Sequence, residues 1–553
     1  MRTTFTAVIV LLVGAIVAVP VSAQTGAPAT RRLSVDEAVR LALENNLGVQ
    51  VARINPQLQD LSVALARAAW VPSLTTTVQG SSTATPNTSF LSGGTTGSKV
   101  TNGRLASNIG LLQQTPWGGS YQVGWDSSRA TTTNIFSNFS PQLQSSLSVN
   151  IRQPLLRNFS IDNLRQQVIV SEKNREISDI AVEQTVATTS RAVRNAYWDL
   201  AYANASLGVQ QQSLDLARES LRETNARIQI GSTPPIDAVE AQAEVAQREG
   251  AVIVAQEQIE TDEDALRSLI FNPDSPDFWT TRIEPTDLPA FQPITVDVDA
   301  AVRNALQMRT DLLQTRKSLE EDAINVKYFR NQSLPDVTAS FDYGLTGLGG
   351  TQFERGTGFP GPIIGETQRS FGSVLGDLFG NQFPNWTLAL NISYPVGHSP
   401  SEASLARAEL ESSQSRTQLK NAELQVVTQV RNVARQVQTN AKLVESTRAA
   451  RDLAEQRLDA EQKKLAAGTS TNFIVFQAQR DLAQARNDEL NAVLNYNRSV
   501  VDLETVQRAP VAGSGTATVS TVTSGTVGIG VNTTNAAGSS TNTGSALGSG
   551  GSQ

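Results

Sequence analysis

The chain of 553 residues contains no cysteine. This absence excludes disulfide bonds, zinc sites built on thiolates, a thiol nucleophile and a cysteine that could carry an N-terminal lipid anchor. A single histidine, His398, cannot form a multi-histidine metal site and leaves little for general-base catalysis of the common kind. We therefore expect no enzyme, no cofactor and no bound metal ion, and we interpret His398 as a polar loop residue.

The sequence also lacks an excess of positive charge. It has 45 Lys and Arg residues against 52 Asp and Glu residues, which gives a net charge of -7. Without a basic surface, we expect no nucleic-acid partner. Aromatic residues make up only 5% of the chain and methionines number 2, so the composition favours long helices rich in Ala, Gln, Glu, Leu and Arg.

Long apolar runs are scarce as well. Residues 1–23 combine an early Arg2, an apolar run and small residues before Gln24, which predicts a secretory signal peptide. A transmembrane anchor is the alternative, but the run is short for a membrane span. No later segment offers 18 consecutive apolar residues. A mature chain that enters a membrane would therefore do so as a β-barrel, in which every backbone group is paired.

Self-similarity along the chain indicates two copies of one unit. The first copy spans residues 24–290, the second spans 291–508, and residues 509–553 follow as a tail. The matching segments are Val35–Leu43 with Val298–Leu306, Pro72 with Pro335, Leu147–Pro154 with Leu388–Pro395, and Gly231 with Gly468. The offset falls from 263 to 241 residues between the second and third of these matches, which indicates a longer loop in the first copy.

Each copy has the pattern of a helix, a strand region, a very long helix, a tight turn and a further helix. Ser34 and Glu37 form a capping-box sequence, and helical spacing continues to Trp70, which predicts a single first helix. The strands are predicted at about 72–154 and 335–395, and the helical hairpins at 158–271 and 400–508. The prolines that mark the strand–helix junctions are Pro72, Pro154, Pro335 and Pro395.

The strand region of the first copy contains a further hairpin pattern. Leu105–Leu112 and Ser120–Trp125 flank a Pro-Trp-Gly-Gly turn, and the pattern leaves open whether this hairpin joins a barrel or lies in a loop. Four of the six tryptophans lie in or beside strand regions: Trp70, Trp117, Trp125 and Trp386. They fit a membrane-interface girdle, and ordinary core aromatics are the alternative.

A seven-residue apolar repeat runs along the long helix of each copy. The first seam is Val186, Val193, Leu200, Leu207, Leu214, Leu221 and Ile228, and the second is Val430, Val437, Val444, Leu458 and Leu465. Such a seam keeps one stripe of the helix against a partner helix. Arg451 breaks the second seam, and we interpret it either as paired with an acidic neighbour or as part of a groove for an adaptor protein.

Leu33-Ser34-Val35-Asp36-Glu37-Ala38 and Leu43-Glu44-Asn45-Asn46 open the first copy, and Pro-ended strand pairs and the turn glycines Gly231 and Gly468 follow in order. This duplicated pattern resembles the TolC-like outer-membrane efflux proteins, or outer membrane factors. The resemblance implies an α+β membrane protein with two internal repeats per chain. It implies a homotrimer whose four strands per chain close a twelve-stranded transmembrane β-barrel, continued by a long periplasmic α-helical barrel of twelve helices.

The resemblance also implies a function. The chain would lie in the outer membrane, contact its lipids and extend into the periplasm, as the channel of a tripartite export system. It would give a passive exit duct for substrates delivered by an inner-membrane pump and a periplasmic adaptor (membrane fusion) protein. The outer-membrane component of a type I protein secretion system is an alternative, and a non-conducting coiled-coil envelope protein is a more remote one.

The narrow end of such a duct is expected at the hairpin turns. The turn residues are Gly231, Pro234, Pro235 and Gly468. Relatives often carry acidic residues six and nine positions after the turn glycine; the corresponding positions here are Asp237, Glu240, Ile474 and Gln477. We hypothesise that Asp237 and Glu240 form an acidic ring at the periplasmic aperture. The alternative is that both only complement the dipole of a helix N-terminus.

The tail differs in composition from both copies. Residues 509–553 contain no charged side chain and are dominated by Gly, Ser, Thr, Val and Asn. Such a segment cannot bury enough apolar surface to fold, so we expect a disordered tail.

Overall fold

The computed structural model describes residues 30–94, 98–287, 290–397 and 399–511. The predicted signal peptide, His398 and residues 512–553 of the predicted tail lie outside these described residues. The first residues of the tail are described: Ala509 and Val511 are both buried, and Val511 belongs to the hydrophobic core of the second copy. The predicted tail therefore begins with residues that pack with the second copy.

Four helices of the first copy repeat in the second copy with equal or nearly equal lengths. In the first copy they are α1 (Val35–Asn45), α2 (Leu47–Ala68), α3 (Asn163–Gln229) and α4 (Ile236–Ile270). In the second copy the helices are α5 (Val298–Met308), α6 (Thr310–Gln332), α7 (Phe371–Phe379), α8 (Pro400–Ala466) and α9 (Asn472–Val506). α3 and α8 each have 67 residues, and α4 and α9 each have 35. The duplication thus extends to the length of each hairpin arm.

The first helix of each copy is broken, whereas the sequence predicts one helix from Ser34 to Trp70. The capping box is formed, since the Glu37 N–H donates to Ser34 Oγ at 3.3 Å. The chain then leaves helical geometry at Asn46, whose Oδ1 accepts a hydrogen bond of 2.9 Å from the Gly48 N–H and caps α2. An Asn side chain competes for backbone groups in this way, so it ends one helix and starts the next.

The long helix of the first copy begins later than predicted. It starts at Asn163 instead of residue 158, because the Asp162 side chain caps its first turn. Asn158 itself has a φ of 64°, in the left-handed region that a helix excludes. The long helix of the second copy begins at Pro400.

The strands form two sheets. They are β1 (Thr30–Leu33), β2 (Ser73–Pro86), β3 (Lys99–Gln114), β4 (Ser120–Thr132), β5 (Phe139–Pro154), β6 (Arg282–Pro285), β7 (Asp336–Arg355), β8 (Ile363–Arg369) and β9 (Pro384–Ser393). β1 and β6 make a small parallel pair. The other seven make one antiparallel sheet in the order β2–β3–β4–β5–β7. The remaining side of β7 pairs with β9 over its first half and with β8 at its far end.

The additional hairpin of the first copy belongs to this sheet. β3 pairs with β2, β4 pairs with β5, and the two hairpin strands pair with each other along their lengths. The longer loop that the offset indicates therefore contains two paired strands. Within the described residues the chain has six long strands, β2 to β5, β7 and β9, where the family resemblance implies four.

Side chains alternate between the two faces of these six strands. The apolar face carries Leu74, Val78, Leu105, Ile109, Leu111, Val123, Trp125, Leu147, Val149, Ile151, Phe341, Tyr343, Leu345, Leu388, Leu390 and Ile392. The polar face carries Thr77, Gln79, Arg104, Asn108, Asp126, Gln144, Ser146, Asn150, Asp342, Thr387 and Asn391. A cavity of about 390 Å³ opens on the polar face beside Gln79, Arg104 and Asp126. The sheet thus separates a polar side from an apolar one.

The short helix α7 packs on the apolar face at the end of β7 that is far from the long helices. Two glycines of β7 make room for it, since a Cβ at Gly347 would lie 2.1 Å from the Val374 carbonyl oxygen. Gly349 would meet the same residue. Ser145 of β5, which pairs with Gly347, is fully buried. α7 thus contacts both β5 and β7 and covers part of their apolar face.

The helices lie side by side in two tiers. In the tier next to the sheet the order is α2–α3–α6–α8, and in the tier next to the hairpin turns it is α4–α3–α9–α8. The shorter helices therefore stack end to end along the long ones. Seam residues such as Val193, Leu200, Val430 and Val437 are buried by this packing. None of the helices in the described ranges combines the length and the hydropathy that a membrane span requires.

Charged side chains connect the two copies along α3. Arg194 of α3 pairs with Glu504 of α9 at 2.6 Å. The other pairs between α3 and α9 are Arg191 with Asp502 and Asp199 with Arg498. Between α3 and α6, Lys173 pairs with Glu320 at 2.9 Å, and Glu176 pairs with Lys317 at 2.8 Å. These pairs fix the register of one copy against the other.

Glu321 of α6 makes the stability of the fold depend on pH. Burial, and secondly the neighbouring Asp322 carboxylate, raises the pKa of Glu321 from 4.5 to about 7. Because the folded-state pKa exceeds the unfolded value, the ionised group destabilises the fold increasingly as the pH rises from 4.5 through 7. Glu321→Gln is therefore expected to raise the unfolding temperature at pH 8 and to leave it unchanged at pH 4, as measured by circular dichroism.

Glu320→Gln is a matched control of opposite sign. Its hydrogen bond from Lys173, and then that from Lys317, lowers the pKa of the Glu320 carboxyl. This stabilisation is present above the unfolded pKa and is lost as the pH falls, so Glu320→Gln should lower the unfolding temperature slightly at pH 8. Effects of the same sign for both variants at pH 8 would contradict the interpretation.

Candidate functional site: the tips of the helical hairpins

A tight turn closes each helical hairpin. Gly231 and Gly468 follow α3 and α8 with φ angles of 77° and 76°. In both turns the N–H of the residue after the glycine donates a hydrogen bond to a carbonyl oxygen in the last turn of the preceding helix. These bonds run from Ser232 to Arg227 and from Thr469 to Lys464, each at 2.9 Å. This is the Schellman arrangement, in which a left-handed residue ends the helix and turns the chain.

The two prolines of the first turn start the returning helix. Pro234 and Pro235 directly precede Ile236, and Pro235 has a φ of -59°, close to the helical value. Proline suits this position because its fixed φ is helical and its missing N–H has no partner in the first turn of a helix. The first turn is thus stiffer than the second, which lacks proline.

Asp237, one of the predicted aperture residues, contacts the tip of the other copy. Its Oδ2 accepts a hydrogen bond of 3.0 Å from Nδ2 of Asn472, the first residue of α9. Asn472 is buried and Asp237 is half-buried. Asp237 therefore joins the two tips of one chain, beyond any interaction with its own helix dipole.

The other three predicted aperture residues, Glu240, Ile474 and Gln477, are exposed. On α9 the neighbouring Val475 and Phe476 are buried, so the exposed pair points away from the packed side. Within the described part of the chain, Glu240 makes no side-chain hydrogen bond or ion pair. Of the four predicted aperture residues, Asp237 is thus the one whose side chain contacts the hairpin tip of the other copy.

An ion pair with a buried carboxylate joins the copies farther from the tips. Glu244 of α4 is 5% exposed, and its two oxygens lie 2.8 Å from Arg248 Nε and 3.5 Å from Arg480 Nη1 of α9. Removing a carboxylate from water costs several kcal/mol unless partners compensate. The sequence does not single out this contact, because its partners lie in different copies and no local pattern links them.

Arg451, which breaks the second seam, is paired with acidic neighbours. Its guanidinium lies 2.6 Å from Asp452 and 3.0 Å from Glu489 of α9. A charged residue is tolerated in the seam because Glu489 faces it from the adjacent helix. The adaptor groove proposed for this position remains a prediction.

A cavity of about 640 Å³ lies between α3, α4 and α9. Asp199, Asp262 and Arg498 contribute its charged lining. Burial is the main cause that raises the pKa of Asp199 and that of Asp262, and Asp199 is paired with Arg498. In the ranges that the structure describes, no cluster of three or more His, Asp or Glu residues could hold a metal ion.

The predicted junction prolines lie at the boundary between sheet and helices. Pro72 and Pro335 directly precede β2 and β7, and Pro154 is the last residue of β5. Pro395 follows β9 by two residues. Each proline thus stands where a paired strand gives way to unpaired backbone, a position that tolerates the missing N–H.

Both copies match one family profile, that of the Outer membrane efflux protein family. The match covers residues 118–270 and 301–506, well over half of the chain. The chain belongs to this family. The resemblance inferred from the sequence is therefore confirmed. The matched ranges include both hairpins and β4, β5, β7 and β9, whereas β2 and β3 lie before them.

Solved outer-membrane channels have the same fold as this chain. The Campylobacter jejuni CmeC channel aligns with a TM-score of 0.58 at 15% identity, over 86% of this chain and 85% of that one. VceC of Vibrio cholerae gives 0.57 at 17% identity, over 86% and 96%. The open state of Neisseria gonorrhoeae MtrE gives 0.55 at 16% identity, over 86% and 89%. No curated protein sequence shows significant similarity to the chain.

The turn glycines can be tested by substitution. Gly231→Ala and Gly468→Ala are each expected to lower the free energy of unfolding by about 1 kcal/mol, because an L side chain is strained in the left-handed region. The added Cβ itself meets no atom within 4 Å at either position. Chemical denaturation of the purified variants measures the change.

Gly208→Ala is the matched control for the turn substitutions. Gly208 lies inside α3, and its added Cβ also meets no atom within 4 Å. Alanine is the better helix former, so this variant is expected to gain about 0.5–1 kcal/mol. A loss at Gly208 as large as at the turns would show that bulk, not backbone conformation, decides the effect.

Proposed function

We propose that this chain is the outer-membrane channel of a tripartite export system. Three copies form a passive duct that crosses the outer membrane and extends through the periplasm. An inner-membrane pump and a periplasmic adaptor protein deliver the substrate to it. The observation that carries this proposal is the duplicated hairpin of 67-residue and 35-residue helices in a chain of the outer membrane efflux protein family.

The sides of the helical tier support assembly with further copies. α2 packs on α3 with one side only, and its other side exposes an apolar stripe. The stripe consists of Leu47, Val51, Ile54, Leu58, Leu61 and Leu65. These residues are spaced alternately four and three apart, which is the spacing of a seam that packs against a partner helix. At the opposite side of the tier, α8 exposes Leu410 and Leu424.

A second copy is the occupant that fits this stripe. The chain ends its tier with α2 on one side and α8 on the other, so rotation about a common axis brings α8 of one copy against α2 of the next. A head-to-tail contact of this kind closes into a ring when the rotation is right. Three copies place twelve helices around the duct.

The proposal is tested by reconstitution. Purified full-length protein in a planar lipid bilayer is expected to give discrete conductance steps and to run as a trimer before denaturation. A monomer that does not conduct would refute the channel. Co-purification from the native membrane with an adaptor and a pump would then identify the export system, and association with a secretion apparatus would favour the type I alternative.

Two contacts between α4 and α9 are proposed to hold the tips closed. They are the Asp237–Asn472 hydrogen bond and the Glu244–Arg480 ion pair. Arg480→Ala removes the cross-copy partner of a buried carboxylate, so the tips should separate more readily. The expected result is a larger single-channel conductance or a longer open time in planar bilayers.

Arg457→Ala is the control for the tip contacts. Arg457 pairs with Asp481 at 2.7 Å, but both residues belong to the α8–α9 hairpin of the second copy. Its loss leaves the contact between copies intact, so conductance should stay at the wild-type value. An equal increase in both variants would attribute the effect to general loosening of the hairpin.

The acidic ring makes a separate prediction. If Asp237 and Glu240 face the duct, six carboxylates from three copies attract cations at its entrance. The double variant Asp237→Ala, Glu240→Ala is then expected to lose cation selectivity and block by divalent ions, as measured from reversal potentials. Asp459→Ala, which removes an exposed acid paired with Lys463 on α8, serves as the control. Unchanged selectivity in the double variant would refute the ring.

A further inference from the structure

We infer that each chain contributes six strands to the membrane wall, so that three copies close a barrel of eighteen strands. The inference rests on the proposed function, because the count refers to a trimer in a membrane. It departs from the twelve strands that the family resemblance implies. It also predicts a wider exit from the duct.

The added hairpin strands are long enough to cross a membrane. β3 has 16 residues and β4 has 13, and both pair with their neighbours along their lengths. A tilted membrane strand needs about 9–11 residues. A hairpin that lay in a surface loop would not need to pair with neighbouring strands on both sides over this length.

The two faces of the sheet continue across the hairpin. On the apolar face Ile109 of β3 stands opposite Trp125 of β4, which in turn stands opposite Leu147 of β5. On the polar face Asn108 Nδ2 donates to Asp126 Oδ1 at 2.6 Å. This alternation is the pattern of strands with lipid on one side and water on the other. The hairpin therefore has the same two environments as the strands beside it.

The turn between β3 and β4 is built into the junction of sheet and helices. Gly118 in this turn has a φ of 88°, and a Cβ there would lie 2.4 Å from Arg165 Nη2 and 2.7 Å from the Asn158 carbonyl oxygen. Arg165 lies in the first turn of α3, and Asn158 lies in the segment that joins β5 to α3. Gln113 Nε2 at the end of β3 donates to the carbonyl oxygen of Trp70, just after α2, at 2.8 Å. The hairpin thus starts at the same level as the other strands.

The directions of the strands allow closure. Neighbours in the order β2–β3–β4–β5–β7–β9 are all antiparallel, so β2 runs away from the helices and β9 runs toward them. β2 and β9 each have one unpaired edge in the described sheet. β9 of one copy beside β2 of the next continues the antiparallel pattern, and α8 beside α2 follows the same order. Both free edges, costly in lipid, are then paired.

A strand barrel of eighteen strands has about the same circumference as the helical barrel of twelve helices. Strands about 4.8 Å apart and tilted by about 40° give a circumference of roughly 110 Å for eighteen strands and roughly 75 Å for twelve. Twelve helices spaced about 9–10 Å apart give roughly 110–120 Å. An eighteen-stranded wall thus continues the helical wall with little change of width. The duct then has its narrowest place at the tips, and its exit admits solutes as wide as the helical tunnel.

Single-cysteine labelling tests the strand count, and the native chain has no cysteine to interfere. In β3, Ile109→Cys lies on the apolar face and Asn108→Cys on the polar face; a fluorophore on each is quenched by nitroxide lipids or by aqueous iodide. In reconstituted trimers we expect several-fold stronger lipid quenching at position 109 and several-fold stronger iodide quenching at 108. The pair Val123→Cys and Gln122→Cys repeats the test in β4 if a β3 variant does not assemble.

Val149→Cys and Asn150→Cys of β5 distinguish a wrong strand count from a wrong membrane-channel proposal. β5 crosses the membrane in either barrel, so position 149 should be lipid-quenched and position 150 iodide-quenched. If β5 shows this contrast but positions 109 and 108 are both quenched by iodide, the hairpin lies outside the wall and the eighteen-stranded barrel is refuted. If β5 itself shows no lipid contact, the proposed membrane channel fails, and the strand count with it.

Discussion

The whole helical part of this protein depends on lateral packing. A helix of 67 residues, about 100 Å long, gains little stability from its own hydrogen bonds and needs an apolar stripe covered by neighbours. Among the described residues α3 packs against five helices, α1, α2 and α4 from its own copy and α6 and α9 from the other. The pairs Arg194–Glu504 and Lys173–Glu320 then fix how far one copy slides along the other. Sheet and tips are placed by this packing.

The sequence predicted the helical part well because its signal is periodic. Val193 and Leu200 belong to a seam seven residues apart, and both are fully buried. The breaks between helices were harder to predict. Asn46 fits a helical spacing, but its side chain bonds to the backbone two residues on and caps a new helix. Such a choice between continuing and capping a helix depends on a few local hydrogen bonds that periodicity does not record.

The sheet and the tips were less predictable because their contacts are distant in sequence. The change of offset indicated extra residues in the first copy, but it did not indicate which strands they pair with. In the structure Ile109 pairs with Thr76 of β2 on one side and with Trp125 of β4 on the other. The Glu244–Arg480 pair joins residues from different copies. Periodicity within one segment carries no information about such pairs, whereas the duplicated turns at Gly231 and Gly468 were visible because the signal is local.

The equal arm lengths of the two hairpins place both hairpin tips at the same distance from the sheet. The strand regions of the two copies have diverged in length, yet α3 matches α8 and α4 matches α9 residue for residue in number. A deletion in one arm alone would raise one tip above the other by about 1.5 Å per residue and separate Asp237 from Asn472. Insertions and deletions in the arms must therefore come in matched pairs, while the strand loops are free to change alone.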